Sequence, residues 1–77
     1  MKSNNYRILL RREPEGGFTV TIPMLQGCIS HGETIEEAIK NAKEAIELYI
    51  ETLKIYKEEI PNEDNILEYN LSINYNA

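Results

Sequence analysis

The stretch that decides the fold is EPEGGFTVTIPMLQGCISHGET, residues 13–34, where turn-forming residues separate short apolar runs ahead of a long helical pattern. The PEGG sequence of residues 14–17 combines the fixed φ of proline with two glycines that can adopt positive φ, a combination typical of chain reversals. Apolar side chains alternate with others through residues 6–11 before this turn and through residues 18–22 after it. The two alternations predict an antiparallel hairpin.

A third strand is predicted directly after the hairpin. Pro23 cannot donate a backbone hydrogen bond, so it should end the second strand. The MLQG sequence of residues 24–27 then turns the chain towards a short third strand near residues 28–30. The region therefore reads as a three-stranded meander.

A long helix begins at Thr34. The sequence Thr-Ile-Glu-Glu predicts a capping box, in which the Thr34 hydroxyl accepts from the amide of Glu37 and the Glu37 carboxylate accepts from the amide of Thr34. Apolar residues follow at spacings of three and four as far as Leu53, and no helix breaker occurs before Pro61. This pattern predicts a helix of about 22 to 25 residues.

The chain closes with a third alternation over residues 67–75, which predicts a fourth strand. A right-handed crossover through the helix would place this strand parallel to the first strand. The predicted fold is α+β, a single domain over residues 1–77 with β-β-β-α-β order, a four-stranded sheet of order 3-2-1-4 and one long helix on one face.

Two surfaces of this fold lack internal partners. One helix covers only one face of a sheet, and a helix of roughly 36 Å extends beyond strands of roughly 23 Å unless it frays or bends near Tyr56. On the open face and the adjoining loop, the residues predicted to bind a partner are Arg7, Leu9, Arg11, Thr19, Thr21, Met24, Leu25 and Gln26. On the overhanging helix, the residues predicted to form an oligomer interface are Leu48, Leu53, Ile55 and Tyr56.

Composition narrows the class of partner and the compartment. Thirteen acidic residues against eight basic ones give a net charge of −5, which disfavours binding to nucleic acid and favours a basic protein partner. The single cysteine cannot form an internal disulfide, and no apolar stretch has the length of a signal peptide or a membrane span. We therefore expect a cytoplasmic chain without membrane contact.

No catalytic, cofactor or metal site is predicted. Cys28 and His31 lack a third group to orient the histidine and lack further ligands for a metal, so Cys28 is interpreted as a packed thiol. The cluster of Arg7, Arg11 and Arg12 is interpreted as balancing nearby acids rather than binding RNA.

Several ordered motifs resemble the HicB family of antitoxins. They are EPEGGF at residues 13–18, PMLQGCIS at residues 23–30, GETIEEA at residues 32–38, NA at residues 41–42 and EAI at residues 44–46. The resemblance spans most of the chain and implies a truncated ribonuclease H-like fold. It does not imply catalysis, because the middle of the first strand, RILLR, has no carboxylate to hold the metal ions of a ribonuclease H site.

The resemblance also implies a partner. HicB proteins neutralise HicA, a small basic toxin that cleaves messenger RNA, by masking its active site. The predicted function is therefore a non-enzymatic antitoxin for a HicA-type toxin. The DNA-binding segment of many family members is not found in this sequence, so no direct DNA binding is expected. The alternatives are a stand-alone structural or regulatory module that self-associates as a dimer or tetramer and, ranked last, a residual nuclease.

Overall fold

Three strands and one helix make up the fold. The computed structural model describes residues 4–76. Its elements are β1 (Leu9–Arg12), β2 (Phe18–Thr21), β3 (Ile29–Gly32) and α1 (Ile35–Ile55), in that order. The strands form one antiparallel sheet of order β1-β2-β3. The predicted α+β class, the meander and the long helix are confirmed.

The hairpin between β1 and β2 turns where the sequence predicts it. The amide of Glu13 donates to the Gly17 carbonyl and the amide of Gly16 donates to the Glu13 carbonyl, both at 3.0 Å. Gly16 and Gly17 have φ angles of 108° and 79°, which residues with a β-carbon rarely adopt. The two glycines are therefore required by the backbone of this turn.

The core lies between the sheet and the helix. Val20 and Ile22 point from β2 and its continuation towards the helix and are almost completely buried. Ala38 and Ala42 face them from α1, and their small side chains let the helix approach the sheet closely. Among residues 4–76, the buried apolar residues are Val20, Ile22, Leu25, Cys28, Ala38 and Ala42.

The start of α1 differs in one contact from the predicted capping box. The Thr34 hydroxyl accepts from the amide of Glu37 at 3.1 Å, as predicted. The Glu37 carboxylate, however, accepts from the amide of Glu33 at 2.7 Å rather than from the amide of Thr34. Two backbone donors at the helix start are still satisfied, so the cap works through a neighbouring amide.

The helix ends with a left-handed residue. Lys57 has φ 57°, its amide donates to the Lys54 carbonyl at 3.1 Å, and the amide of Glu58 donates to the Leu53 carbonyl at 2.9 Å. This pair of bonds is the Schellman arrangement, which satisfies the last carbonyls of a helix. The helix has 21 residues, about one residue short of the predicted range.

The predicted fourth strand is not formed, and the sheet therefore lacks the order 3-2-1-4. Residues 66–76 form no strand and pair with none of the strands among residues 4–76. The preceding connection is fastened to residues 6 and 7 by bonds from Tyr6 to Pro61 and from Arg7 to Glu63. Beyond it the apolar side chains of residues 67–75 are exposed, from 69% for Ile73 to 94% for Leu67, so they do not pack against the sheet.

Candidate partner-binding face

The face of the sheet opposite the helix is exposed and is built by alternate residues of three strands. Val20 is buried against the helix, so its neighbours Thr19 and Thr21 point to the other side. The pairing of β2 with β1 and β3 then fixes which residues accompany them. We call this surface the open face, and its members are Leu9, Arg11, Thr19, Thr21, Ile29 and His31.

One row across the open face is largely apolar. Leu9 lies opposite Thr21 on β2, and Thr21 lies opposite Ile29 on β3. Leu9 is 52% exposed and Ile29 is 54% exposed. Two large apolar side chains therefore stand on either side of a hydroxyl, an arrangement suited to packing against another protein.

The neighbouring row is polar. Arg11, Thr19 and His31 lie side by side on the three strands. The Thr19 hydroxyl donates to the Glu13 carboxylate at 2.7 Å and lies 3.4 Å from Nδ1 of His31. This row offers a guanidinium and an imidazole to a ligand, with one carboxylate at its margin.

Arg7 connects the chain that leads into β1 to residues 63–68, which follow the helix. Its Nη1 atom lies 3.2 Å from Oε1 of Glu68, its Nε atom lies 4.0 Å from Oε1 of Glu63, and its amide donates to Oε2 of Glu63 at 2.8 Å. The interpretation that this arginine balances acids is confirmed. Arg7 is thus a half-buried link at the rim of the open face rather than a free cation.

The loop between β2 and β3 is tightly closed. The amide of Leu25 donates to the Ile22 carbonyl and the amide of Cys28 donates to the Leu25 carbonyl, each at 3.0 Å. Leu25 is 1% exposed, so its side chain belongs to the core and is not available to a partner. Met24 and Gln26, on either side of it, remain half-buried and exposed respectively.

Two side chains of α1 hold the loop before β3 and the far end of β3. The Tyr49 hydroxyl donates to the Gln26 carbonyl at 2.8 Å. Nδ2 of Asn41 donates to the His31 carbonyl at 2.7 Å. The loop and the end of β3 are therefore positioned by the helix that lies behind them.

Ile29 and His31 belong to the open face although the sequence did not predict them there. The third strand was predicted near residues 28–30, whereas β3 is Ile29–Gly32. The sequence CISHG has no clear alternation, so only the register with β2 assigns its faces. Gly32, at the end of that sequence, was the available signal for a third strand that reaches further, because a glycine fits a strand that approaches the helix closely.

Cys28 and His31 do not form a nucleophile and base pair. Cys28 is buried, and desolvation raises the pKa of its thiol above the ordinary value of 9.0. His31 is exposed on the open face. Within residues 4–76 no three histidine, cysteine, aspartate or glutamate side chains are grouped so as to hold a metal ion.

The residues predicted to form an oligomer interface lie along the second half of α1. Leu48, Ile55 and Tyr56 are exposed by 66%, 70% and 70%, and Leu53 is half-buried. In the single chain, the surface of α1 that carries these apolar side chains is therefore largely uncovered.

Comparison with known proteins assigns the family. The profile described as HicB-like antitoxin of bacterial toxin-antitoxin system matches residues 6–77. The chain belongs to the HicB-like antitoxin family. The resemblance carried by the turn, loop and helix-start motifs is thus confirmed.

The HicB-like chain also matches several small proteins over most of their length. It is 52% identical over 64 residues to a UPF0150 protein of Synechocystis sp., covering 83% of this chain and 81% of the relative. It is 41% identical over 59 residues to a UPF0150 protein of Thermoplasma acidophilum, covering 77% of this chain and 86% of the relative.

Membership in an antitoxin family implies, in general terms, a toxin as partner. No helix within the described residues is long and apolar enough to cross a membrane.

Proposed function

We propose that this chain is an antitoxin that binds a small basic HicA-type, mRNA-cleaving toxin and covers the toxin's active site with the open face of its sheet. The observation that carries the proposal is the family match, which extends over residues 6–77. The open face supports it as the contact surface, because it is exposed and its apolar row is left uncovered by the helix.

The acidic residues that would attract a basic toxin lie mostly outside the open face. Ten of the thirteen acidic residues lie at or after residue 36, whereas the open face carries Arg11 and His31. The acids of the helix and of the chain that follows it would attract a basic toxin from a distance and raise its association rate. The contact itself would then depend on the apolar row and on hydrogen bonds rather than on a local acidic patch.

The loop beside the open face extends the proposed contact. Met24 and Gln26 project from it, while Leu25 supports it from the core. The outer edge of β3 pairs with no strand among residues 4–76, so a partner could add a strand there. Of the residues predicted from sequence to bind a partner, Leu9, Arg11, Thr19, Thr21, Met24 and Gln26 form this surface, with Arg7 at its rim.

A matched pair of substitutions tests the proposed surface. Thr21→Arg places a long charged side chain in the middle of the apolar row and should weaken binding to a HicA-type toxin from the same genome by at least about tenfold. Thr52→Arg makes the same chemical change on the exposed side of α1 and should alter the dissociation constant by less than about twofold. The measurement is titration calorimetry with a toxin whose catalytic histidine has been replaced. Equal affinities for both variants would contradict the open face as the contact surface.

The second candidate function is a self-associating structural or regulatory module without a toxin. The exposed Leu48, Ile55 and Tyr56 on α1 favour it, because a second copy could cover them. A homo-oligomer that Leu48→Asp dissociates, together with failure to bind any HicA-type toxin of the same genome, would favour this candidate. A one-to-one complex with such a toxin would rule it out as the main function.

A further inference from the structure

The C-terminal segment, residues 66–76, carries an apolar stripe with no partner in the single chain. From Leu67 to Tyr75 every second side chain is apolar, and those between them are polar. Exposure of the apolar members ranges from 69% to 94%. They are Leu67, Tyr69, Leu71, Ile73 and Tyr75. A stripe of this period is the pattern of a strand with one buried face.

A partly apolar groove lies beside residues 4–8, which lead into β1. It has a volume of about 1340 Å³ and runs between the chain leading into β1 and the helix. Its apolar lining includes Ile8 from the sheet side and Ile39, Ile46 and Ile50 from α1. Small-molecule pockets measure roughly 300 to 1,000 Å³, so this groove has the size to take a chain segment.

The same region contains an unpaired sheet edge. β1 pairs with β2 on one side only, and no strand among residues 4–76 pairs with its other side. The helix packs mainly against β3 and β2, which leaves Ile39 46% exposed above the β1 side. An added strand here would gain backbone hydrogen bonds from β1 and apolar contact from the helix.

The C-terminal segment begins next to this groove but does not enter it. The Tyr6 hydroxyl donates to the Pro61 carbonyl, and Arg7 contacts both Glu63 and Glu68. Beyond Glu68 the chain forms no regular element and is exposed. Each copy therefore presents an empty groove and, close to it, a segment suited to fill such a groove.

We propose that two copies of this chain exchange residues 66–76, so that the segment of each copy pairs with the free edge of β1 in the other and its apolar stripe covers the other's groove. Reciprocal exchange satisfies both unpartnered surfaces of both copies and closes with two-fold symmetry. Residues 66–76 carry a single charged side chain, Glu68, so exchange brings little charge to the groove of the other copy. A 77-residue chain whose core holds six buried residues stands to gain from such a partner.

The exchange needs no toxin, so its test is independent of the proposed antitoxin function. Sedimentation equilibrium of the full chain should give twice the 8.9 kDa chain mass. Leu71→Asp puts a charge on the apolar stripe and should weaken dimerisation by at least about a hundredfold. The matched control Ser72→Asp puts the same charge on the polar side of the segment and should leave the dimer intact.

Two further measurements locate the contact. Amides of residues 67–75 should be protected from hydrogen exchange in the wild-type dimer and should lose that protection in Leu71→Asp. If Leu71→Asp fails to fold by circular dichroism, the milder Ile73→Ser serves instead and should shift the equilibrium towards monomer. Any of three outcomes overturns the proposal: a wild-type monomer, a dimer that neither stripe variant weakens, or a dimer that Ser72→Asp weakens as much as Leu71→Asp.

Discussion

Gly32 lies where the sheet comes closest to the helix. A β-carbon built on Gly32 would stand 2.3 Å from the backbone nitrogen of Ala38 and 2.5 Å from its α-carbon. Both atoms belong to the helix backbone and cannot rotate away. The first turn of α1 can therefore pack onto the end of β3 only because residue 32 has no side chain.

Gly32→Ala should destabilise the fold by about 1 to 3 kcal/mol or more, because the helix would have to move away from the sheet. Urea unfolding followed by circular dichroism measures the effect. Ser30→Ala is the matched control, because Ser30 lies on the same strand and the same face and already has a β-carbon. It should change the free energy of unfolding by no more than about 0.5 kcal/mol. Equal stability of Gly32→Ala and the wild type would contradict the close approach.

Cys28 should make stability decrease at alkaline pH. Burial raises its thiol pKa above 9.0 in the folded chain, so above this pH the unfolded chain loses the proton first and unfolding is favoured. Below pH 9.0 this stabilisation is fully present, and it is lost as the pH rises towards the folded-state pKa. Urea unfolding at pH 7.5 and pH 10 should show a larger loss of stability for the wild type than for Cys28→Ala. Equal losses would show that the thiol does not titrate differently on folding.

At the scale of elements, the start of α1 depends on a cap that can be predicted from the sequence. The Thr34 hydroxyl accepts from the amide of Glu37, and Glu36 and Glu37 place negative charge at the positive end of the helix dipole. These interactions satisfy donors that the helix itself cannot pair. They fix the start of α1 directly after β3.

Thr34→Ala should cost about 1 kcal/mol of stability, because it leaves the amide of Glu37 without its side-chain acceptor. Thr52→Ala is the control: its hydroxyl donates to the Leu48 carbonyl inside the helix and caps no free donor. This change should stay within about 0.5 kcal/mol. Chemical denaturation of both variants decides the point, and equal effects would contradict a specific role for the cap.

The hairpin and the helix could be predicted from the sequence, whereas the helix end and the state of residues 67–75 could not. The hairpin and the helix are encoded locally, by the PEGG turn at residues 14–17 and by the cap and stripe that follow Thr34, so both were predicted. The helix end depends on Lys57 adopting positive φ, a conformation for which lysine carries no sequence signal. The prediction of a paired fourth strand was wrong because alternation over residues 67–75 indicates only that one face of the segment is buried. It does not indicate which sheet edge, in the same chain or in another, will cover that face.

At the scale of the whole molecule, the proposed binding surface follows from the way one helix covers one side of a three-stranded sheet. The open face was predicted through Leu9, Arg11, Thr19 and Thr21, because strand alternation alone decides their side. Leu25 was misassigned because a loop position in sequence gives no measure of burial. The uneven placement of acids, most of them after residue 36, is visible in the sequence but gains meaning only when the sheet and helix are placed in space.

The most direct test of the proposed function is the RNA-cleaving activity of a HicA-type toxin from the same genome, measured while this chain is added in increasing amounts. Cleavage should stop once the chain equals the toxin in concentration and should return when Thr21→Arg replaces the wild type. Cleavage that continues unchanged at a large excess of the folded wild-type chain would contradict the antitoxin function.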